Sequence, residues 1–253
     1  MAYFRSFRHY MRLDYNSDWR LAGAMKPIET LARETTPEGD ELVLTRRDGV
    51  YHLIVDGVEL MTSLVHGSEE DLARLACAAI GKRERPRVLI GGLGFGYTLR
   101  AALDHLPPGA TVVVGELFPA LLEWNQRLLG DLAGRPLADR RVKVVLGNVW
   151  GLIGGSERFD AILLDTDNGP EALTLRSNDR LYDAEGLARI SRTLTPGGVA
   201  AFWSTYPSAT FEKKLRRAGF EAWTERVPAR GGGKKRNHVI FMARRTGTGR
   251  DVR

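Results

Sequence analysis

A strand, a glycine loop and a helix follow one another in Arg87-Val-Leu-Ile-Gly91-Gly92-Leu93-Gly94-Phe95-Gly96-Tyr97, and no other stretch constrains the chain as much. Val88, Leu89 and Ile90 read as a buried strand, and Leu99 and Leu103 mark the apolar face of the helix. Glycine has no Cβ, so it lets backbone approach a ligand closely and takes positive φ without strain. The helix start adds N–H donors that have no partner within the helix. Glu116 closes the next strand, about twenty residues beyond the loop, where an acid reaches both hydroxyls of a ribose. A dinucleotide loop reads G-x-G-x-x-G. From Gly92 this chain reads G-x-G-x-G, with Tyr97 where the last dinucleotide glycine would stand. That spacing favours a nucleoside-sulfonium ligand over a pyrophosphate. A dinucleotide, or a tight turn beside a surface glutamate, is the alternative.

The rest of the chain alternates. Strands are expected at Thr111–Val114, Val142–Leu146, Phe159–Leu164, Val199–Trp203, Glu221–Val227 and His238–Ala243, and helices at Pro119–Leu132, Ala184–Leu194 and Thr210–Ala218. Alternation of this kind means a parallel sheet covered on both faces. The loop between the last two strands is too short for a crossover helix, so they must be antiparallel. The expected fold is α/β: a doubly wound, seven-stranded, methyltransferase-like (Rossmann-like) sheet with a reversed last strand. A small antiparallel module precedes it, built from Glu41–Arg46, Tyr51–Val55 and Val58–Met61 and turned at Asp48-Gly49 and Asp56-Gly57. Ser68, followed by Glu69, Glu70 and Asp71, is expected to cap the helix between module and sheet, and Gly81 to end it. The organisation is then a basic and aromatic arm over 1–25, the β module over 26–66, the main domain over 67–245 and a basic tail over 246–253.

The hydrophobic fraction, 43% of 253 residues, is enough for a core and excludes global disorder. No apolar run approaches the length of a membrane span, and the first 25 residues lack the apolar stretch of a secretory signal. The single Cys77 fits a reducing cytoplasm. The net charge of +6 is concentrated near the two ends, where it reads as solvated tails, and no nucleic-acid partner is expected. Five scattered histidines show no metal spacing, and no metal is expected.

A second acidic site follows the fourth strand of the main sheet, in Leu164-Asp165-Thr166-Asp167-Asn168-Gly169-Pro170. In open α/β sheets the carboxyl ends of the strands carry the active site. Asp165 suits a general base or an amine anchor, and Asp167 is the second catalytic candidate. Asn148, with Val149, follows the third strand and can meet a purine edge, or simply make a turn. The cofactor set expected here is Gly91, Gly92, Gly94, Gly96, Glu116, Leu117, Asn148, Val149 and Asp165. His66, Glu70, Tyr182, Trp203 and Lys234 are the substrate-side candidates. Core or capping roles are the default for His66, and Trp124 is expected in the core.

From about Glu41 to Arg245 the chain resembles the spermidine synthase family of polyamine aminopropyltransferases. The likeness rests on Val55-Asp-Gly-Val-Glu-Leu-Met61, Ser68-Glu69-Glu70, the loop Gly91–Gly96, Glu116, the strand ending in Asp165, Leu181-Tyr182 and Leu194-Thr-Pro-Gly-Gly198. The resemblance implies an N-terminal β module on a methyltransferase-like domain, a homodimer, and S-adenosylmethionine or its decarboxylated form as cofactor. The departures are specific. Gly94 stands where the family has an acid for the free amine of decarboxylated cofactor. Asn168 replaces the second acid of the catalytic loop, Ser68 a tyrosine and Phe118 an acid after Glu116. Glu70 matches the family's glutamate. The loop Arg230–Asn237, with three glycines and four cations, favours an anion or is a solvated hairpin tip.

These features lead to an expected transfer of a methyl group from S-adenosylmethionine to a small molecule. Aminopropyl transfer to an amine is the alternative. A non-catalytic nucleoside-binding module and an RNA methyltransferase using the basic ends are further readings.

Overall fold

The computed structural model describes residues 27–36, 39–166, 169–170, 180–229 and 237–247. The arm over 1–25, Asp167, Asn168, most of the glycine-lysine loop with Lys234, and most of the basic tail lie outside these residues.

Among the described residues four antiparallel strands come first, in the order in which they occur: β1 (Glu29–Thr35), β2 (Glu41–Arg47), β3 (Val50–Val55) and β4 (Val58–Thr62). Both expected turns are present. Asp48 and Gly49 take φ of 48° and 82°, and Asp56 and Gly57 take 48° and 76°. Two successive positive φ values give the turn whose twist matches the flanking strands. β1 was not expected. It reads Glu-Thr-Leu-Ala-Arg-Glu-Thr, which does not alternate, and its pairing with β2 rather than its own pattern makes it a strand.

Helix α1 (Gly67–Ala79) leads into the large sheet. It begins one residue ahead of Ser68, with His66 at the N-cap and no side-chain capping bond. Ser68 therefore does not cap the helix. Its hydroxyl bonds Glu69 instead, and Glu69 and Glu70 in the first turn complement the helix dipole. Leu72, Ala73, Ala76 and Cys77 are buried against the sheet, and Gly81 at φ 67° follows the helix end. Burial pushes the Cys77 thiol up to about 12, so it packs as a small apolar group.

The large sheet comprises β5 (Arg87–Gly91), β6 (Thr111–Glu116), β7 (Val142–Leu146), β8 (Phe159–Leu164), β9 (Leu194–Ser204), β10 (Phe220–Pro228) and β11 (Asn237–Arg245). Helices α2 (Tyr97–His105), α3 (Pro119–Trp124), α4 (Ala184–Thr193) and α5 (Ala209–Arg217) connect them. The strand order is β10-β11-β9-β8-β5-β6-β7, and β11 runs antiparallel to both its neighbours. The seven strands and the reversed last strand match the expectation. β8 is buried at every position, which its continuous apolar run, broken only by Asp160, requires of a central parallel strand. Asp160 is held by Arg83 at 2.6 Å, the Arg87 N–H at 2.8 Å and the Thr195 hydroxyl at 2.9 Å.

One face of the sheet packs Val88, Ile90 and Leu163 on α1 and α2. The other packs Leu89, Ile162 and Phe202 on α4 and α5, where Phe211 meets Phe202 and Phe241 edge-on at 5.1 and 5.2 Å. Each such buried phenylalanine contributes about 1.5–3 kcal/mol by leaving water. A third cluster joins the β module to the domain: Leu42, Leu44, Leu53 and Val55 pack with Phe95, Phe118, Leu121 and Trp124. Phe95, in the glycine loop itself, is fully buried there.

The helix expected over Pro119–Leu132 is interrupted. After Trp124 comes a π turn over Asn125–Leu129, then a tight turn over Gly130–Ala133. The buried Asn125 amide donates both to the Leu121 carbonyl and to the Gly94 carbonyl, each at 2.8 Å. The widened turn fastens this helix to the glycine loop, a use of π turns that hydrophobic periodicity does not reveal.

Candidate active site

The chain leaves β7 on one side of β5 and returns as β8 on the other, so the strand order reverses between β5 and β8. Ligands in open α/β sheets sit at such a point, beyond the carboxyl ends of the strands. A cleft lies there. Its floor is Gly92, Leu93 and Gly94, its walls include Glu116, Leu117, Phe118, Asn148, Val149, Asp165 and Thr166, and the β module adds Leu53, Leu60 and Met61.

Glycine is required at position 92 of the floor. Gly92 has φ +91°, and a Cβ there would stand 2.6 Å from the Asp165 carbonyl oxygen. Gly94 has φ +50°, and its Cβ would meet the Met61 sulfur at 3.0 Å. Met61 thus fills the space that an acidic side chain at 94 would enter. Gly91 and Gly96 act one step away from the cleft. Gly91 sits where a Cβ would press on Leu164, and Gly96 at φ 86° is the N-cap of α2.

Glu116 is 3% exposed. One carboxylate oxygen accepts from the Leu93 N–H and the other from the Phe118 N–H, both at 2.8 Å. Burial pushes this carboxyl above its ordinary value, and the backbone donors pull against that shift. The Leu117 and Gly94 N–H groups add to this pull, so a vicinal diol would share the carboxylate with four backbone donors. Asn148 accepts from the Trp150 N–H at 2.9 Å and so holds a short helical turn. Its NH2 donors and the second lone pair of its oxygen lie beyond this bond.

Asp165 and Glu69 form the second polar centre. Thr98 donates its hydroxyl to Asp165 at 2.7 Å. Ser68 donates to Glu69 at 2.7 Å, and the His238 Nδ1 stands 2.8 Å from the same Ser68 oxygen. Burial pushes Asp165 up to about 6, against the pull of Thr98. Burial pushes Glu69 up to about 8, and the charge of Asp165 adds to the rise. Two carboxyl groups facing one cleft resist ionising together. Trp203 completes the lining. Its buried Nε1–H has no hydrogen-bond partner among the described residues.

The structure brings some of the residues expected from the sequence into one cleft and places others away from it. The structure brings together Gly92, Gly94, Glu116, Leu117, Asn148, Val149, Asp165 and Trp203. Glu70 is not among the lining residues. It pairs with His66 at 2.8 Å, and His66 stacks on Tyr97 at 4.0 Å. The cleft receives Glu69 instead, because adjacent residues on a helix point about 100° apart. Tyr182 is 3% exposed and packs with Phe202 and Phe211 on the far face of the sheet, so it does not line the cleft. Glu69, Thr98 and the β-module residues were missed. An acid in the first turn of α1 was visible, but its facing was not. Among the described residues, no cluster of three His, Cys, Asp or Glu side chains can hold a metal ion. No helix among them is long and apolar enough to cross a membrane.

No protein-family model matches the sequence, and no curated protein matches it. Solved structures do match the fold. A spermidine synthase in complex with the transition-state analogue AdoDATO superposes with a TM-score of 0.67 at 17% identity, over 85% of this chain and 72% of that one. The spermidine synthase from Thermotoga maritima gives 0.68 at 17% identity, with the same coverage. A probable spermidine synthase from Corynebacterium glutamicum gives 0.61 at 17% identity, over 87% of this chain and 81% of that one. The chain has the spermidine synthase fold. The shared fold includes the antiparallel module ahead of the main sheet, which the sequence resemblance had implied.

Proposed function

We propose that the protein is a transferase that moves a carbon group from an adenosyl sulfonium cofactor to a small-molecule nucleophile. One observation carries this reading: Glu116 and Asp165, at the ends of two strands flanking β5 (β6 and β8), face one cleft floored by Gly92 and Gly94. The residues fit the cofactor. Glu116 would hold the ribose hydroxyls, Leu117, Asn148 and Val149 the base, and the glycines the close approach of backbone to the ligand. The bound sulfonium supplies a carbon whose bond to sulfur breaks, with the electron pair passing to sulfur. Asp165 orients the attacking atom and takes its proton. The β module roofs the cleft with Leu53, Leu60 and Met61, which limits water around the reacting atoms.

We favour methyl transfer with the carboxylate-bearing cofactor, because Gly94 and Met61 leave no acid to hold a free amine at that end. Aminopropyl transfer is the second reading. It is supported by the fold of the spermidine synthases and by Glu69, which adds a carboxyl group beside Asp165 for an amine. Purified protein incubated with each cofactor form and a panel of amines and hydroxy acids decides between them. S-adenosylhomocysteine as the spent nucleoside supports methyl transfer, and 5′-methylthioadenosine supports aminopropyl transfer. Binding without either product leaves a nucleoside-binding module.

Gly94→Asp with Met61→Ala, which clears the space beside residue 94, is expected to raise the preference for decarboxylated cofactor. Aspartate tolerates the left-handed conformation of Gly94 better than most residues. Competitive binding of the two cofactor forms reads the change, and an unaltered ratio refutes the role assigned to this position.

A further inference from the structure

We propose that Glu69, Ser68 and His238 form a proton relay that opens on the cleft opposite Asp165, with Ser68 coupling the charge of Glu69 to the tautomer of His238. The relay deepens the transferase reading, on which its use in catalysis rests. Its geometry stands by itself. The Ser68 hydroxyl is fully buried, 2.7 Å from a Glu69 oxygen and 2.8 Å from the His238 Nδ1. A hydroxyl between an acid and an imidazole has one proton to give and lone pairs to accept with. Two arrangements satisfy all three groups. With Glu69 ionised, Nδ1–H of His238 donates to Ser68 and Ser68 donates to Glu69. With Glu69 protonated, Glu69 donates to Ser68, Ser68 donates to Nδ1, and the imidazole proton sits on Nε2.

A proton delivered to Glu69 from the cleft can therefore leave by the other end. Glu69 gives its proton to Ser68 as Ser68 gives its own to Nδ1. The imidazolium so formed releases the proton on Nε2 to water, which gives the first arrangement; the next proton taken up by Glu69 returns the trio to the second once the imidazole exchanges its Nδ1 proton for one on Nε2. One proton enters, one leaves, and no bond between heavy atoms changes. His238 is half-buried and held edge-on by Trp203 at 4.7 Å, which fixes the ring in reach of Ser68. The groups facing Glu69 are Asp165 beyond β8, Tyr97 on α2, and Glu70 paired with His66 at the start of its own helix. The acids among them make a proton harder to remove from Glu69, so an exit route away from Asp165 has a purpose.

Histidine tautomers are read directly by nitrogen NMR on protein carrying labelled histidine. In the wild-type protein the His238 signal is expected to move from the Nε2–H to the Nδ1–H pattern as pH rises through about 8, where Glu69 ionises. Glu69→Gln, nearly isosteric, is expected to abolish that change, and Ser68→Ala to uncouple it. A wild-type signal without the change, or an unaltered one in Glu69→Gln, overturns the relay. Calorimetry with S-adenosylhomocysteine, run on the same samples, separates the two ideas. Failure of uptake with the tautomer change intact refutes the cofactor site but leaves the relay. Uptake with no tautomer change refutes the relay alone.

Discussion

Asp165→Asn is expected to lower turnover by about 100- to 10,000-fold, the range that accompanies loss of a positioned general base. Nucleoside affinity should be unchanged, because asparagine keeps an oxygen to accept from Thr98 and has nearly the same volume. Asp165 works only when ionised. Its raised value, about 6, places the acid limb of the wild-type pH–rate profile there, with activity present above it and lost as pH falls through it. The limb belongs to the Asp165–Glu69 pair rather than to one residue, since the charge of Asp165 raises Glu69 and the two titrate together. A steady-state pH profile with kcat and KM measured separately checks both points. Full turnover in the variant, or a limb at the ordinary aspartate value, would show that the catalytic proton acceptor lies elsewhere.

Glu116→Gln has the second large effect, and it falls on binding. Both oxygens of Glu116 already accept backbone N–H groups, so an amide NH2 on either side faces a donor instead of an acceptor. The ribose also loses one charged acceptor. A hydrogen bond to a charged group contributes about 1.5–3 kcal/mol, which corresponds to about 10- to 100-fold in affinity for the nucleoside. Titration calorimetry with S-adenosylhomocysteine and with 5′-methylthioadenosine measures it. Both ligands should weaken alike, because they share the adenosine. Equal affinity in variant and wild type would remove Glu116 from the site. Loss for one ligand only would point to contacts with the tail rather than with the sugar.

The sequence by itself determined the order of elements, the parallel sheet with its reversed strand and the two acids at strand ends. Those features depend on neighbours within a few residues: the apolar run of β8, the Asp-Gly turns, the glycines ahead of α2. Strand β1 escaped because its partner, not its own pattern, makes it a strand. The break after Trp124 escaped because its cause, Asn125 reaching the Gly94 carbonyl, spans 31 positions. Tertiary structure alone decided which of two adjacent glutamates enters the cleft, since the packing of α1 on the sheet sets the helix rotation. It also decided that Tyr182 faces away, and that Met61 of the module occupies the space beside Gly94. Ser68 and His238 stand 170 positions apart and meet only because β11 is inserted beside β9. A contact of that kind is set by the order of strands in the sheet, and no local pattern of residues encodes it.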